Sequence, residues 1–169
     1  MPSRGIVRTG LAPKIKKNLP LLLAVVVLAA ISAVVVFSKH ENVDGCSGTY
    51  RTDKIVRIGK HQIKAEDAKT PSQQQIGLGG RDCIGSNHAM LFSFARPGQY
   101  AIWMKNMKFP IDIAWIDTNH KVVGLEKKVE PSTYPDRFIN KEKFAQYVLE
   151  LQAGRANTLG LTTGTPVDF

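Results

Sequence analysis

Cysteine is scarce. Cys46 and Cys83 are the only two, so a framework of several bridges is excluded and a single pairing is available. Either they bridge or they stand as two unrelated thiols. With four scattered histidines (His40, His61, His88 and His120) and no H-x-x-x-H pair, they fall short of a metal-ligand set. No metal and no cofactor is expected. A G-x-S-x-G elbow is missing, and Gly77-Leu78-Gly79-Gly80 lacks the Gly-Lys-Ser/Thr that completes a phosphate loop. His88 lies five residues after Cys83, but a nucleophilic pair must meet in space, and a structural cysteine is the simpler reading. Asp112 and Asp117 are five apart on one expected strand, hence on opposite faces, which excludes an acid–base pair.

Acidic residues are absent from the first 37 positions, which hold Arg4, Arg8, Lys14, Lys16 and Lys17. More than half of the formal +9 charge therefore sits in a short tail. That position makes it a topology signal rather than a nucleic-acid footprint, and no nucleic-acid partner is expected. An uncharged run, LPLLLAVVVLAAISAVVVF, follows from Leu19 to Phe37. As a helix it rises about 28 Å, close to the roughly 30 Å hydrocarbon thickness of a bilayer. Pro20 falls in the first turn, where its missing N–H costs nothing. A cleaved signal peptide would have a shorter apolar core and a small-residue cleavage site in place of VVVFSK. A lipoprotein reading fails because Cys46 lies nine residues beyond Phe37, after Val-Asp-Gly. The expectation is a basic cytoplasmic tail (1–18), a single transmembrane helix (19–37), a linker (38–48) and an extracytoplasmic domain (49–169). The bilayer would be a partner through residues 19–37, and the cell membrane the location.

The composition beyond the anchor, within a chain 43% hydrophobic and 22% charged, suits an ordinary globular core. Lys54–Ile58 and His61–Ala65 flank Gly59-Lys60 as a hairpin. Thr70-Pro71 starts a short helix over Ser72–Leu78, stopped by Gly79-Gly80. Met90–Phe94 and Tyr100–Met104 read as strands joined by the turn Ala95-Arg96-Pro97-Gly98. Ile111–Asp117 and Lys121–Lys127 form a further pair, and residues 130–140 a long loop. Ala145–Leu151 alternates with the period of a half-buried strand. Gly154–Leu159 reads as a helical turn and Pro166–Phe169 as a last short strand. The fold class expected is mostly β (α+β): compact, antiparallel and barrel-like, with one or two short helices.

Gly77-Leu78-Gly79-Gly80-Arg81, Met90-Leu91-Phe92-Ser93-Phe94, Trp103-Met104-Lys105-Asn106-Met107 and Pro110-Ile111-Asp112-Ile113 are four blocks of one pattern. Tyr147-Val148-Leu149-Glu150-Leu151 and Ala153-Gly154 extend it. Over about residues 53–169 the chain resembles domain-of-unknown-function family 192, small bacterial and archaeal proteins, many of them exported or membrane-tethered. It departs from the family's usual Met at Gly79, Gly at Ala89, Thr at Met107 and Asp at Thr165. The resemblance implies a compact β-rich fold and an envelope setting, and no mechanism.

Arg81, Trp103, Lys105, Asn106 and Asp112 are the polar cluster within these blocks. On an extended chain Trp103 and Lys105 share a face, with Met104 and Asn106 on the other. An exposed Trp beside a cation and an acid suits a small polar or anionic ligand. The structural alternative has Asn106 in a turn, Asp112 accepting backbone N–H groups and Arg81 paired with Asp112. Three readings follow: an envelope ligand-binding or accessory module, an envelope hydrolase using Asp112 with Lys105 or Arg81, and a purely structural domain. A fully buried Trp103 favours the last, and an Asp112 held by backbone donors excludes the second.

Overall fold

Gly59, at φ +56°, reverses the chain between the first two strands, β1 (Lys54–Ile58) and β2 (His61–Ala68). Their register, Lys54 opposite Ala65 and Ile58 opposite His61, follows from that two-residue turn. The computed structural model describes residues 45, 46 and 48–169. The basic tail, the apolar segment 19–37 and most of the 38–48 linker lie outside the described residues. Among the described residues no helix is long and apolar enough to cross a membrane.

A short helix, α1 (Pro71–Ile76), begins at a capping box. Thr70 Oγ1 accepts the Gln73 N–H at 3.3 Å, and Gln73 Oε1 accepts the Thr70 N–H at 3.0 Å. The helix ends at Gly77 (φ +53°), two residues before the expected Gly79 stop. Strand β3 then runs from His88 to Gly98, through the segment expected to turn at Ala95–Gly98. It is followed by β4 (Ile111–Ile116), β5 (Val122–Val129), a 3₁₀ turn (Pro131–Thr133), β6 (Ala145–Gln152) and α2 (Arg155–Thr158).

These strands form one six-stranded sheet of order β1-β2-β3-β6-β4-β5. Two expectations are corrected. The sheet is mixed, because α1 and the loop after it carry the chain across so that β3 lies parallel to β2. Tyr100–Met104 is not a strand. The antiparallel partner of Met90–Phe92 is β6, and Ile102 makes only an isolated bridge to Phe138. The 100–104 segment folds over the sheet instead, where Ile102 and Met104 are buried and Tyr100 O accepts the Trp115 indole N–H at 2.9 Å.

Both faces of the central strands are covered. Ile111, Ile113 and Trp115 join one apolar cluster with Met90, Phe92 and Val148. Ala114 and Ile116 join the other with Leu91, Leu149 and Leu151. Burying one such Ile or Leu side chain contributes about 1.5–3 kcal/mol. β6 is therefore not the half-buried strand its alternation suggested: Val148, Leu149, Glu150 and Leu151 are all buried.

The barrel-like expectation is also corrected, since edge strands β1 and β5 do not pair and the sheet is open. The expected strand Pro166–Phe169 exists only as isolated bridges. The Arg57 N–H donates to Asp168 O at 2.7 Å, and the Val122 N–H donates to Thr165 O at 2.9 Å. Residues 165–168 thus cover backbone of β1 and of the start of β5. Cys46 and Cys83 are joined by a disulfide with Cα atoms 5.8 Å apart. This ties the residue-46 end of the described chain to the loop between α1 and β3.

Candidate functional site

Trp103 and Lys105 stand together, as an extended chain would place them. Lys105 Nζ lies 5.6 Å from the centre of the Trp103 ring, and Arg137 Cζ, from the 130–140 loop, lies 4.9 Å from it. Trp103 is only partly buried, which is not the condition that favoured a purely structural motif. Lys105 and Asn106 form a turn, with Asn106 in the left-handed region (φ +59°) that Asn tolerates better than most residues. Its carbonyl accepts the Gly80 N–H at 2.8 Å. Asn106 thus shapes the turn that presents Lys105.

The glycine-rich loop packs against that turn. A Cβ on Gly79 would stand 2.9 Å from Ile76 O and 3.1 Å from Lys105 O, both backbone atoms, so the approach depends on a bare Cα. Between the loop, the turn and the sheet lies a pocket of ≈ 40 Å³, lined among others by Gln75, Gly77, Phe92, Trp103, Lys105 and Glu150.

Glu150 is the residue that sequence reasoning missed. It is 4% exposed, has no ion pair among the described residues, and its Oε2 has no hydrogen-bond partner. Burial pushes its carboxyl up to about 8, opposed by the charge of Arg81. Burial therefore favours the neutral acid. The registers place Glu66, Met90, Glu150 and Ile113 in one row across β2, β3, β6 and β4. Arg81 grips the other acid of the row: Nη1 and Nη2 meet Glu66 Oε1 and Oε2 at 2.5 and 3.1 Å, a bidentate pair. Asp67, the neighbouring buried acid, is better served, with Oδ1 accepting from Ser93 Oγ at 2.6 Å and Oδ2 3.3 Å from Lys69 Nζ.

Asp112 does not belong to the site, and Arg81 does not pair with it. Its alternation on β4 puts it on the face opposite Ile113. There it is fully buried, with Oδ1 accepting the Lys128 N–H and Oδ2 accepting the Ala156 N–H, each at 2.8 Å. Ala156 lies in the first turn of α2, whose own N-cap, Gly154, offers no side chain. Asp112 caps that helix from a neighbouring strand and holds the β5 backbone. A carboxylate with both oxygens so engaged is not a general acid or base, which overturns the hydrolase reading built on it. Among the described residues no three His, Cys, Asp or Glu side chains converge as metal ligands.

The pattern of blocks that builds this pocket is that of a family. The family described as Uncharacterized ACR matches residues 54–169. The chain belongs to domain-of-unknown-function family 192. The pocket and the capped helix of this family 192 domain lie within the matched span. No curated protein matches the chain. Two solved structures share the fold. One is a candidate transcription regulator from Sinorhizobium meliloti 1021, 28% identical, covering 72% of this chain and 97% of its own, with a TM-score of 0.65. The other is a protein of unknown function from Novosphingobium aromaticivorans DSM 12444, 26% identical, covering 68% and 84%, with a TM-score of 0.63.

Proposed function

We propose that this family 192 domain is a ligand-binding module, presented outside the cytoplasm by a single-pass anchor at residues 19–37. The observation that carries the binding role is a pocket lined by the partly exposed Trp103, by Lys105 and by the buried Glu150, whose Oε2 has no hydrogen-bond partner among the described residues. Binding sites combine an aromatic or apolar wall with a few convergent polar groups, and this pocket does so. The anchor rests on the charge-free 19-residue run behind a basic tail, and the Cys46–Cys83 disulfide supports an oxidising compartment. A small polar or anionic envelope compound is the partner expected. The regulator description of the Sinorhizobium protein is not carried over. Reading a DNA groove with a helix takes more than the six and four residues of the two α-helices among the described residues.

Full-length protein in mild detergent, screened by thermal shift against envelope metabolites, tests the binding role. A ligand at one hundred times its dissociation constant adds about 2.7 kcal/mol of apparent stability. The expected result is a hit that Trp103→Ala abolishes. A panel without hits, or hits indifferent to Trp103→Ala, removes the pocket as a site. Protease accessibility of residues 45–169 in intact cells, against permeabilised ones, tests the topology.

A further inference from the structure

We propose that the pocket takes the carboxylate head of a small organic acid, which accepts a hydrogen bond from the Glu150 carboxyl while Lys105 neutralises its charge.

The proposal rests on the ligand-binding reading above and names its ligand class. Three features of the geometry lead to it. First, Glu150 Oε2 is a buried oxygen with no hydrogen-bond partner among the described residues, which is costly unless a visitor or a proton satisfies it. An isolated carboxylate in such a place takes up a proton and becomes a donor. Second, Gly77 stands beside that oxygen and Phe92: a Cβ there would lie 4.0 Å from Oε2 and 3.3 Å from Phe92 Cζ. Third, the volume suits the head group. The pocket, ≈ 40 Å³, has room for a small polar head group.

Charge selects the sign of the ligand. Lys105 lines the pocket, and Arg137 lies over the Trp103 ring beside it. The groups facing Glu150 from other elements are Arg81, whose own charge is met by Glu66 on β2, and the uncharged Met90, Ile113 and Phe92. An anion thus meets cations at the rim and a proton donor at the floor. Once Glu150 ionises, the floor repels the same anion. Binding is therefore coupled to protonation and fades at alkaline pH.

Acetate is the minimal probe, and acetamide is its neutral counterpart of the same shape. Full-length protein in mild detergent is titrated with each to tens of millimolar, following the Trp103 indole N–H by NMR at constant ionic strength. For four heavy atoms a dissociation constant on the order of millimolar is reasonable. The expected result is a saturable shift with acetate at pH 6 to 7 and at least tenfold weaker binding of acetamide. Acetate affinity should fall about tenfold per pH unit above pH 8, where Glu150 gives up its proton. Glu150→Gln, which keeps an N–H donor, should retain acetate binding without that fall. Equal binding of the two probes, no saturable shift with acetate, or the same alkaline fall in Glu150→Gln overturns the carboxylate assignment. If acetate fails while the metabolite screen still gives a hit dependent on Trp103, the binding module stands and only its ligand class is wrong. If both fail, both are withdrawn.

Discussion

Replacing Glu150 by Gln should change how stability depends on pH more than it changes stability itself. Burial raises the Glu150 carboxyl from an ordinary 4.5 to about 8, against the pull of Arg81. Between these values the folded chain holds a proton that the unfolded chain has released. The stabilising contribution is thus complete below pH 4.5, declines as pH rises toward 8, and is gone above it. At about 1.4 kcal/mol per pH unit, the whole decline is about 5 kcal/mol as an upper limit, since relaxation and water entry reduce it. Gln keeps the shape and cannot ionise. Every other titrating group is common to both proteins, so their difference isolates this one. Urea unfolding of the full-length chain and the variant, without reductant, at pH 5, 6, 7, 8 and 9 gives that difference. The two should agree within about 1 kcal/mol at pH 5, and the variant should be the more stable by several kcal/mol at pH 9. Parallel stability curves from pH 5 to 9 would refute the reasoning, because Glu150 would then be solvated or paired.

Arg81→Met removes the bidentate partner of the buried Glu66 carboxylate, leaving Arg51 at 3.6 Å, and should cost about 1.5–3 kcal/mol, read from the denaturant midpoint. Asp112→Asn converts one of two acceptors facing backbone N–H groups into a donor. A loss of about 2–3 kcal/mol is expected, with frayed hydrogen-exchange protection at Ala156 and Lys128 as its local mark. Reducing the Cys46–Cys83 bridge, which closes a 37-residue loop, should lower stability by about 4 kcal/mol in the chain-entropy model, measured by unfolding with and without dithiothreitol. Gly79→Ala should cost about 1–3 kcal/mol, because the added methyl meets two backbone carbonyls that cannot swing aside, and midpoint shifts check it.

Local chemistry was legible where it decided structure alone. The Gly59 hairpin gives β1 its expected bounds, and Thr70-Pro71 starts α1. Nothing local marked the parallel step from β2 to β3, because parallel pairing is set by what lies between the strands and not by the strands themselves. Ala95–Gly98 carries turn residues yet extends β3, held by a bulged register to β6 far along the chain. For the site, Trp103 and Lys105 were expected on one face of a strand; they do stand together, but on a segment that is not a strand, with Lys105 in a turn. Glu150 escaped because its strand was read as half-solvated. The clue was Val148, an apolar side chain on the supposed polar side of that strand, which signals a sheet covered on both faces. Asp112 was singled out for its chemistry, but its role in capping α2 depends on a contact 44 positions away.

The disulfide also decides how the domain would carry a pull from its N-terminal side. Tension arriving at residue 46 crosses the sulfur–sulfur bond to Cys83 and enters the loop just ahead of β3, a central strand. Edge strand β1, β2 and α1 fall inside the bypassed loop and bear none of it. Those elements would peel first in an unbridged chain. With the bridge intact, the load reaches a strand flanked on both sides by neighbours. Cutting the bridge under tension should release about 130 Å of slack, 37 residues at roughly 3.5 Å each.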